Sequence, residues 1–447
     1  MLNKLLSRAL PSLRQIIFEG VYAPAYYECN PIMPLIIERL YGPNPLTMLR
    51  IDSTFALDLK GREHQNPSHP IAIKRLKLYG LHSVGNNDLP LVLASTLVHL
   101  MLGEIRVDWF WNSFVTGAAS DSADGGLVFS CLKSLHMYFP KPEVGDRRRN
   151  VTDFHESRHA KDFASETERE SRSYTTSSTF GRPRFPALTT LAIAFFPRSY
   201  ERFLSLFTAS PISWLYLCHA AHNAPSGIDL SQFIHLRSLE VQFIDDVTKR
   251  ASRHVNKCLS DMFESTGSRL ERLDMKLKAT DAFKLRITAS HAFAHNIRAL
   301  QLDDHITIDD IVLILPHLPS LERLEIGAHA QRPIESLEEL IRVFRAAEAA
   351  EQLTPLNTSL KLLRVWPSRY YMSRGDTFPR TLARSPVSFY FNLFVELVCR
   401  LPALEIMRVN ISPMDWLHST IQALLDSGIG SEQIENLRRL QIRPVAD

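Results

Sequence analysis

The chain has 447 residues, 45% of them apolar, with 51 Lys and Arg against 48 Asp and Glu for a formal charge of +3. So small an excess over this length gives no field suited to nucleic acid, and the longest apolar stretch, 89–103, is broken by Ser95, Thr96 and His99 and is too short to span a bilayer. The opening residues carry Lys4 and Arg8 but no continuous apolar core for a secretory signal, and five scattered cysteines without a C-x-x-C read as reduced thiols of a cytoplasmic or nuclear protein.

In chain order, one pattern keeps returning: an apolar residue followed three and then five positions later by two more. A loose first copy is Leu10-Leu13-Ile16, followed by Leu46-Leu49-Ile51, Ile73-Leu76-Leu78, Leu97-Leu100-Leu102 and Leu132-Leu135-Met137. Next come Leu188-Leu191-Ile193, Ile212-Leu215-Leu217, Leu236-Leu239-Val241, Leu270-Leu273-Met275 and Ile297-Leu300-Leu302. The last four are Leu321-Leu324-Ile326, Leu360-Leu363-Val365, Leu404-Met407-Val409 and Leu437-Leu440-Ile442. The middle residues step by 24 to 27 in the most regular stretches, Leu49 to Leu100, Leu191 to Leu239 and Leu273 to Leu324. That period is the mark of a repeat architecture in which each triad is a short strand. Steps above 30 predict longer connections.

The segments between triads supply those connections. Val247, Ala251, Val255, Leu259 and Met262 recur at helical spacing. Thr307 opens a helix running through Asp309 and Asp310 to Leu315 and ending near Pro316; Glu335 to Leu353 predicts another, with Ser336 and Glu339 at capping-box spacing. The unit is therefore strand, turn, returning helix. Stacked, such units give an α/β solenoid with a parallel sheet on a concave side and helices on a convex side, with about fourteen irregular rungs. Lys141 to Pro183 breaks the pattern: it is poor in aliphatic residues and dense in Arg, Glu, Asp, Ser and Thr. It reads as a disordered charged insertion, 141–183, between repeats at 1–140 and 184–447 of one continuous solenoid.

The triads resemble the leucine-rich repeats of ribonuclease-inhibitor-like proteins, and most closely the irregular repeats of fungal F-box/leucine-rich-repeat proteins. The regular family carries Asn or Cys three residues beyond the triad; Phe196, Ala220, Ile244 and Lys278 stand there instead, which points to the irregular type. The resemblance implies a protein-binding solenoid, specifically a subunit that selects substrates for a ubiquitin ligase. It also implies an adaptor-binding helical module ahead of the repeats. No such module is recognisable, since the first triad begins at Leu10 and no L-P-x-E-[IL] opening appears. Binding of a Skp1-type adaptor is left open.

Few constellations suggest chemistry. His155-Glu156-Ser157-Arg158-His159 matches H-E-x-x-H, in which two His a helical turn apart hold zinc and the Glu activates water. It lies in the charged insertion, with no later His or Glu motif to supply a third ligand. His291 and His295, with Asp303, Asp304 and His305 downstream, could also be drawn as a metal site; surface histidines on a helix are the plainer reading. Walker, G-x-G-x-x-G and G-x-S-x-G motifs are absent. No catalytic residue, cofactor or metal is therefore expected.

The residues between and beside the triad positions face the other way from the core. They include Arg75, Lys77 and Tyr79, then His136 and Tyr138, Trp214 and Tyr216, Arg272 and Asp274, and Arg364 and Trp366. Aromatic and Arg side chains on an open sheet are the types enriched where proteins bind proteins. The expectation is a binding protein, not an enzyme, that uses this face, either as a ligase substrate receptor or as a scaffold or GTPase regulator. The competing expectation is a zinc hydrolase built on His155, Glu156 and His159. Interleaved acidic residues argue against RNA.

Overall fold

In the computed structural model the residues described are 15–18, 47–52, 73–79, 93–105, 128–140, 183–196, 203–221, 224–225, 227–247, 249–279, 293–329, 336–349, 354–367, 393, 397–409, 415–426 and 439–444. They fall into two compact units, 1–211 and 212–447. The charged insertion apart from Pro183, with the H-E-x-x-H match, lies outside the described residues, as does His291.

The first unit is a parallel sheet whose described strands follow chain order: β1 (Gln15–Phe18), β2 (Met48–Asp52), β3 (Arg75–Tyr79), β4 (His99–Gly103), β5 (Ser134–Tyr138) and β6 (Thr190–Ala194). Strands β5 and β6, which flank the expected insertion, are direct neighbours. The second unit repeats the arrangement with β7 (Trp214–His219), β8 (Ser238–Val247), β9 (Arg272–Ala279), β10 (Ala299–Thr307), β11 (Arg323–His329), β12 (Leu362–Pro367), β13 (Ile406–Val409) and β14 (Gln441–Pro444). An all-parallel α/β sheet with sequential neighbours is what stacked strand-and-return repeats produce.

Register places the triads side by side. Leu76, Leu100, Leu135 and Leu191 align across β3 to β6. Leu215, Leu239, Leu273, Leu300, Leu324, Leu363 and Met407 align across β7 to β13. All are buried. Each of these positions contributes about 1.5–3 kcal/mol, the typical value for a fully buried aliphatic side chain. The same register is copied along the backbone by shared acceptors: the Arg237 carbonyl takes the N–H groups of Glu271 and Arg272, Glu271 those of Arg298 and Ala299, and Arg298 those of Glu322 and Arg323. One carbonyl thus fixes where the next strand begins.

Both ends depart from the expected triads. Ile16 aligns with Leu49 and Phe18 with Ile51, so the first strand reads Leu13-Ile16-Phe18 in place of Leu10-Leu13-Ile16. Ile442 aligns with Met407, two residues beyond the expected Leu440.

Among the described residues, four α-helices link strands of the second unit: α1 (Lys249–Thr266), α2 (Ile308–Ile314), α3 (Leu337–Ala349) and α4 (Asp415–Asp426). The predicted apolar positions of α1, Ala251, Val255, Leu259 and Met262, are buried, while Val247 belongs to β8. Thr307 caps α2 in a full capping box with Asp310, and Ser336 Oγ accepts from the Glu339 N–H at the start of α3.

A fourth apolar position, three or four residues ahead of the triad, completes the core. Phe129, Phe185, Phe233 and Phe293 hold it, and the carbonyl of each accepts an N–H from the first triad residue that follows. In the first unit Phe129, Phe185 and Phe207 stack in series with 5.2 Å between successive ring centres. In the second, Phe263 of α1 packs 4.9 Å from Phe293. Where the regular family would carry its ladder asparagine, Phe196 packs 5.0 Å from Phe139 and 4.2 Å from Phe203. Two asparagines do bridge repeats: Asn296 donates to the Ser268 carbonyl at 2.6 Å, and buried Asn357 donates to the Leu318 carbonyl at 2.6 Å and accepts from the N–H groups of Ser359 and Leu360.

Candidate recognition surface

Residues alternating with the triad point to the opposite side of each sheet, and parallel pairing turns them into rows. In the first unit, Arg75, His99, Ser134 and Thr190 form one row, and Arg50, Lys77, Met101, His136 and Ala192 the next. Tyr138 stands beyond them, opposite Gly103 and Ala194. The side chain of Tyr79 lies outside the described residues. Lys77, His136 and Tyr138 are half-buried and Arg75 is exposed. Burial, then the cations Arg75 and Lys133, lower the pKa of His99; burial, then His99 and Lys77, lower that of His136. Both imidazoles are therefore biased to the neutral form, able to donate and accept hydrogen bonds.

In the second unit the central row runs Tyr216, Glu240, Asp274, Gln301, Glu325, Arg364, Arg408 and Arg443 from β7 to β14. The row beside it begins Trp214, Ser238, Arg272, Ala299 and Arg323. Trp214 and Tyr216 lie nearly parallel, 7° apart with ring centres 6.1 Å apart, and the Tyr216 hydroxyl donates to Gln242 Oε1 at 2.6 Å. Lys276 Nζ donates to Glu240 at 2.7 Å. Glu325 is clamped from both sides, by Arg323 of its own strand and by Arg364 of β12 at 3.3 Å. The Arg364 guanidinium also sits 5.7 Å from the centre of the Trp366 ring.

One expected position lies deeper than the rest of the face: Asp274 is only 5% exposed, set in register between Glu240 and Gln301. At the last strand, Arg443 takes its place in the central row and Gln441 holds the flanking position. Trp214, Tyr216, Arg272, Arg364 and Trp366 do stand on the polar face, Arg272 exposed and the others half-buried. Sequence reasoning left unremarked the depth of Glu325, 6% exposed between two arginines. The repeated Arg-x-Glu and Arg positions on adjacent strands were the available signal.

Little else suggests chemistry. Among the described residues no group of three His, Cys, Asp or Glu is placed to hold a metal, and no helix is long and apolar enough to cross a membrane. His295 is exposed. Cys131, Cys218, Cys258 and Cys399 are thiols, three of them buried; burial pushes Cys258 and Cys399 well above the usual thiol range, so neither is an activated nucleophile. The sequence matches no protein-family model and no curated protein.

Proposed function

We propose that this chain is an irregular leucine-rich-repeat solenoid of about fourteen rungs that recognises a protein partner through the polar face of its sheet and performs no catalysis. One observation carries the reading: the register aligns the apolar residues into buried columns and leaves aromatic and charged side chains in continuous rows opposite them. Half-buried Trp and Tyr side chains such as Trp214 and Tyr216 bury much apolar area at small entropic cost once a partner covers them. By the resemblance of its triads, the chain acts as a substrate-selecting subunit of a ubiquitin ligase, in the cytoplasm or nucleus. A scaffold or GTPase regulator would use the same face.

The test is affinity purification of the full chain from its native cells, beside the Trp214→Ala/Tyr216→Ala double variant, with mass spectrometry of both. The reading expects one partner that is enriched with the native chain and lost with the variant. Co-purification of a cullin and its adaptor selects the ligase form. Partners retained equally by the variant would remove the aromatic pair from the proposal. A chain that instead purifies with stoichiometric zinc, and hydrolyses a substrate in a Glu156-dependent way, would overturn it.

A further inference from the structure

The central polar row of the second unit is not uniform in charge. Two of its acidic members are paired internally: Glu240 by Lys276, and Glu325 by Arg323 and Arg364. Asp274 and Glu325 are both buried. Moving to the last strands, the row opens and becomes basic. Arg364 and Arg408 are half-buried and Arg443 is exposed. Among the described residues no carboxylate pairs with Arg408 or Arg443; Arg443 donates only to the amide oxygen of Gln441, at 2.6 Å. Three guanidinium groups thus stand on three adjacent strands, Arg364 opposite Arg408 and Arg408 opposite Arg443.

We infer that this arginine column binds an extended acidic segment of the partner, with carboxylates at alternate positions. The inference rests on the protein-recognition reading above and names the chemistry of its partner. Neighbouring strands lie about 4.8 Å apart, so the column covers roughly 10 Å. An extended peptide lying along it advances about 3.4 Å per residue and presents side chains on one side every two residues, roughly 7 Å apart. Carboxylates at i and i+2 therefore reach Arg408 and Arg443, whose long side chains take up the small mismatch. Each guanidinium can grip a carboxylate through two parallel N–H donors, which a point charge cannot do. Arg364 is already committed to Glu325 and Trp366. It borders the site as a fixed wall, while Arg408 and Arg443 supply the new contacts.

A displayed library of random ten-residue peptides, selected on the full chain at low salt, tests this. The expected pool is rich in Asp and Glu at i and i+2, and Arg408→Ser/Arg443→Ser lowers its capture about tenfold or more, the loss of one or two charge-assisted contacts. Raising salt lowers capture by the native chain and much less by the variant. Unchanged thermal melting of the variant shows that it is folded, and Arg443→Glu alone, at an exposed site, gives an independent loss. A pool without acidic enrichment overturns the inference. So does an acidic pool held equally by the variant. If that pool is instead lost on Trp214→Ala/Tyr216→Ala, protein recognition by this face survives and only the arginine column fails. Capture abolished by tRNA at far lower concentration than by acidic peptide would overturn it in favour of nucleic acid.

Discussion

Strands β8 to β12 and strands β13 and β14 carry the same central row, yet they treat charge in opposite ways. In the first group Glu240 is paired with Lys276 and Glu325 with two arginines, and Glu325 is buried. In the second, Arg408 and Arg443 extend the row without a carboxylate among the described residues. The lesson is about division of labour. The inner strands use charge to fix their own side chains. The outer strands leave charge for something else, since a row of like-charged residues on adjacent strands is unfavourable unless an opposite charge arrives.

The apolar side of the sheet shows no such division, and the largest effect is expected there. Leu239→Asp would bury a carboxylate without a partner in a column that continues into both groups of strands. We expect a loss of several kcal/mol and of the cooperative melting of the second unit, read by circular dichroism. Survival of a sharp transition would mean that the repeats are not energetically coupled.

Next comes an imidazole on that side. His219 is fully buried beside Phe243, and burial lowers its pKa to about 3 from the ordinary 6.5. Below pH 6.5 the unfolded chain takes up a proton that the folded chain refuses. Its contribution is therefore constant above that value and becomes destabilising as pH falls from 6.5 toward 3, at up to about 1.4 kcal/mol per pH unit. His219→Leu should flatten the acid limb of a stability–pH curve relative to the native chain; an unchanged limb would show that the imidazole is hydrated or paired in its charged form.

On the polar side, Glu325→Ala should cost about 1–2 kcal/mol in chemical denaturation. That is less than breaking a fully buried pair, because Arg323 is half exposed to water. Arg443→Ser should change stability by under about 0.5 kcal/mol, as exposed substitutions do. The contrast between those two values is the comparison of the row's two ends in measurable form, and equal losses would erase it.

The apolar columns were legible in the sequence because packing leaves no freedom at Leu239 or Leu324: each touches a rung on either side and must be aliphatic. The ends were harder. Leu10-Leu13-Ile16 meets the spacing only loosely, at three and six, whereas Leu13-Ile16-Phe18 meets it at three and five and is the set in register; Phe18 at the last position is what hid it. The phenylalanine column was legible in principle, as an aromatic ahead of the triads, but its offset varies between three and four residues and lies outside the triad's own spacing. The polar face was readable only as a list of residues. Alternation says which side Asp274 and Glu325 occupy, but their burial depends on how neighbouring Arg and Lys side chains lie across them, which no period encodes.

The most direct test of recognition by the polar face is site-specific photo-crosslinking in native cells. A photoreactive phenylalanine would replace Gln301 of the central row in one chain and Leu313 of α2, which is 66% exposed, in another. We predict a covalent adduct with the partner from position 301 and none from position 313. An adduct from position 313 alone would contradict the assignment of the polar face as the surface that binds.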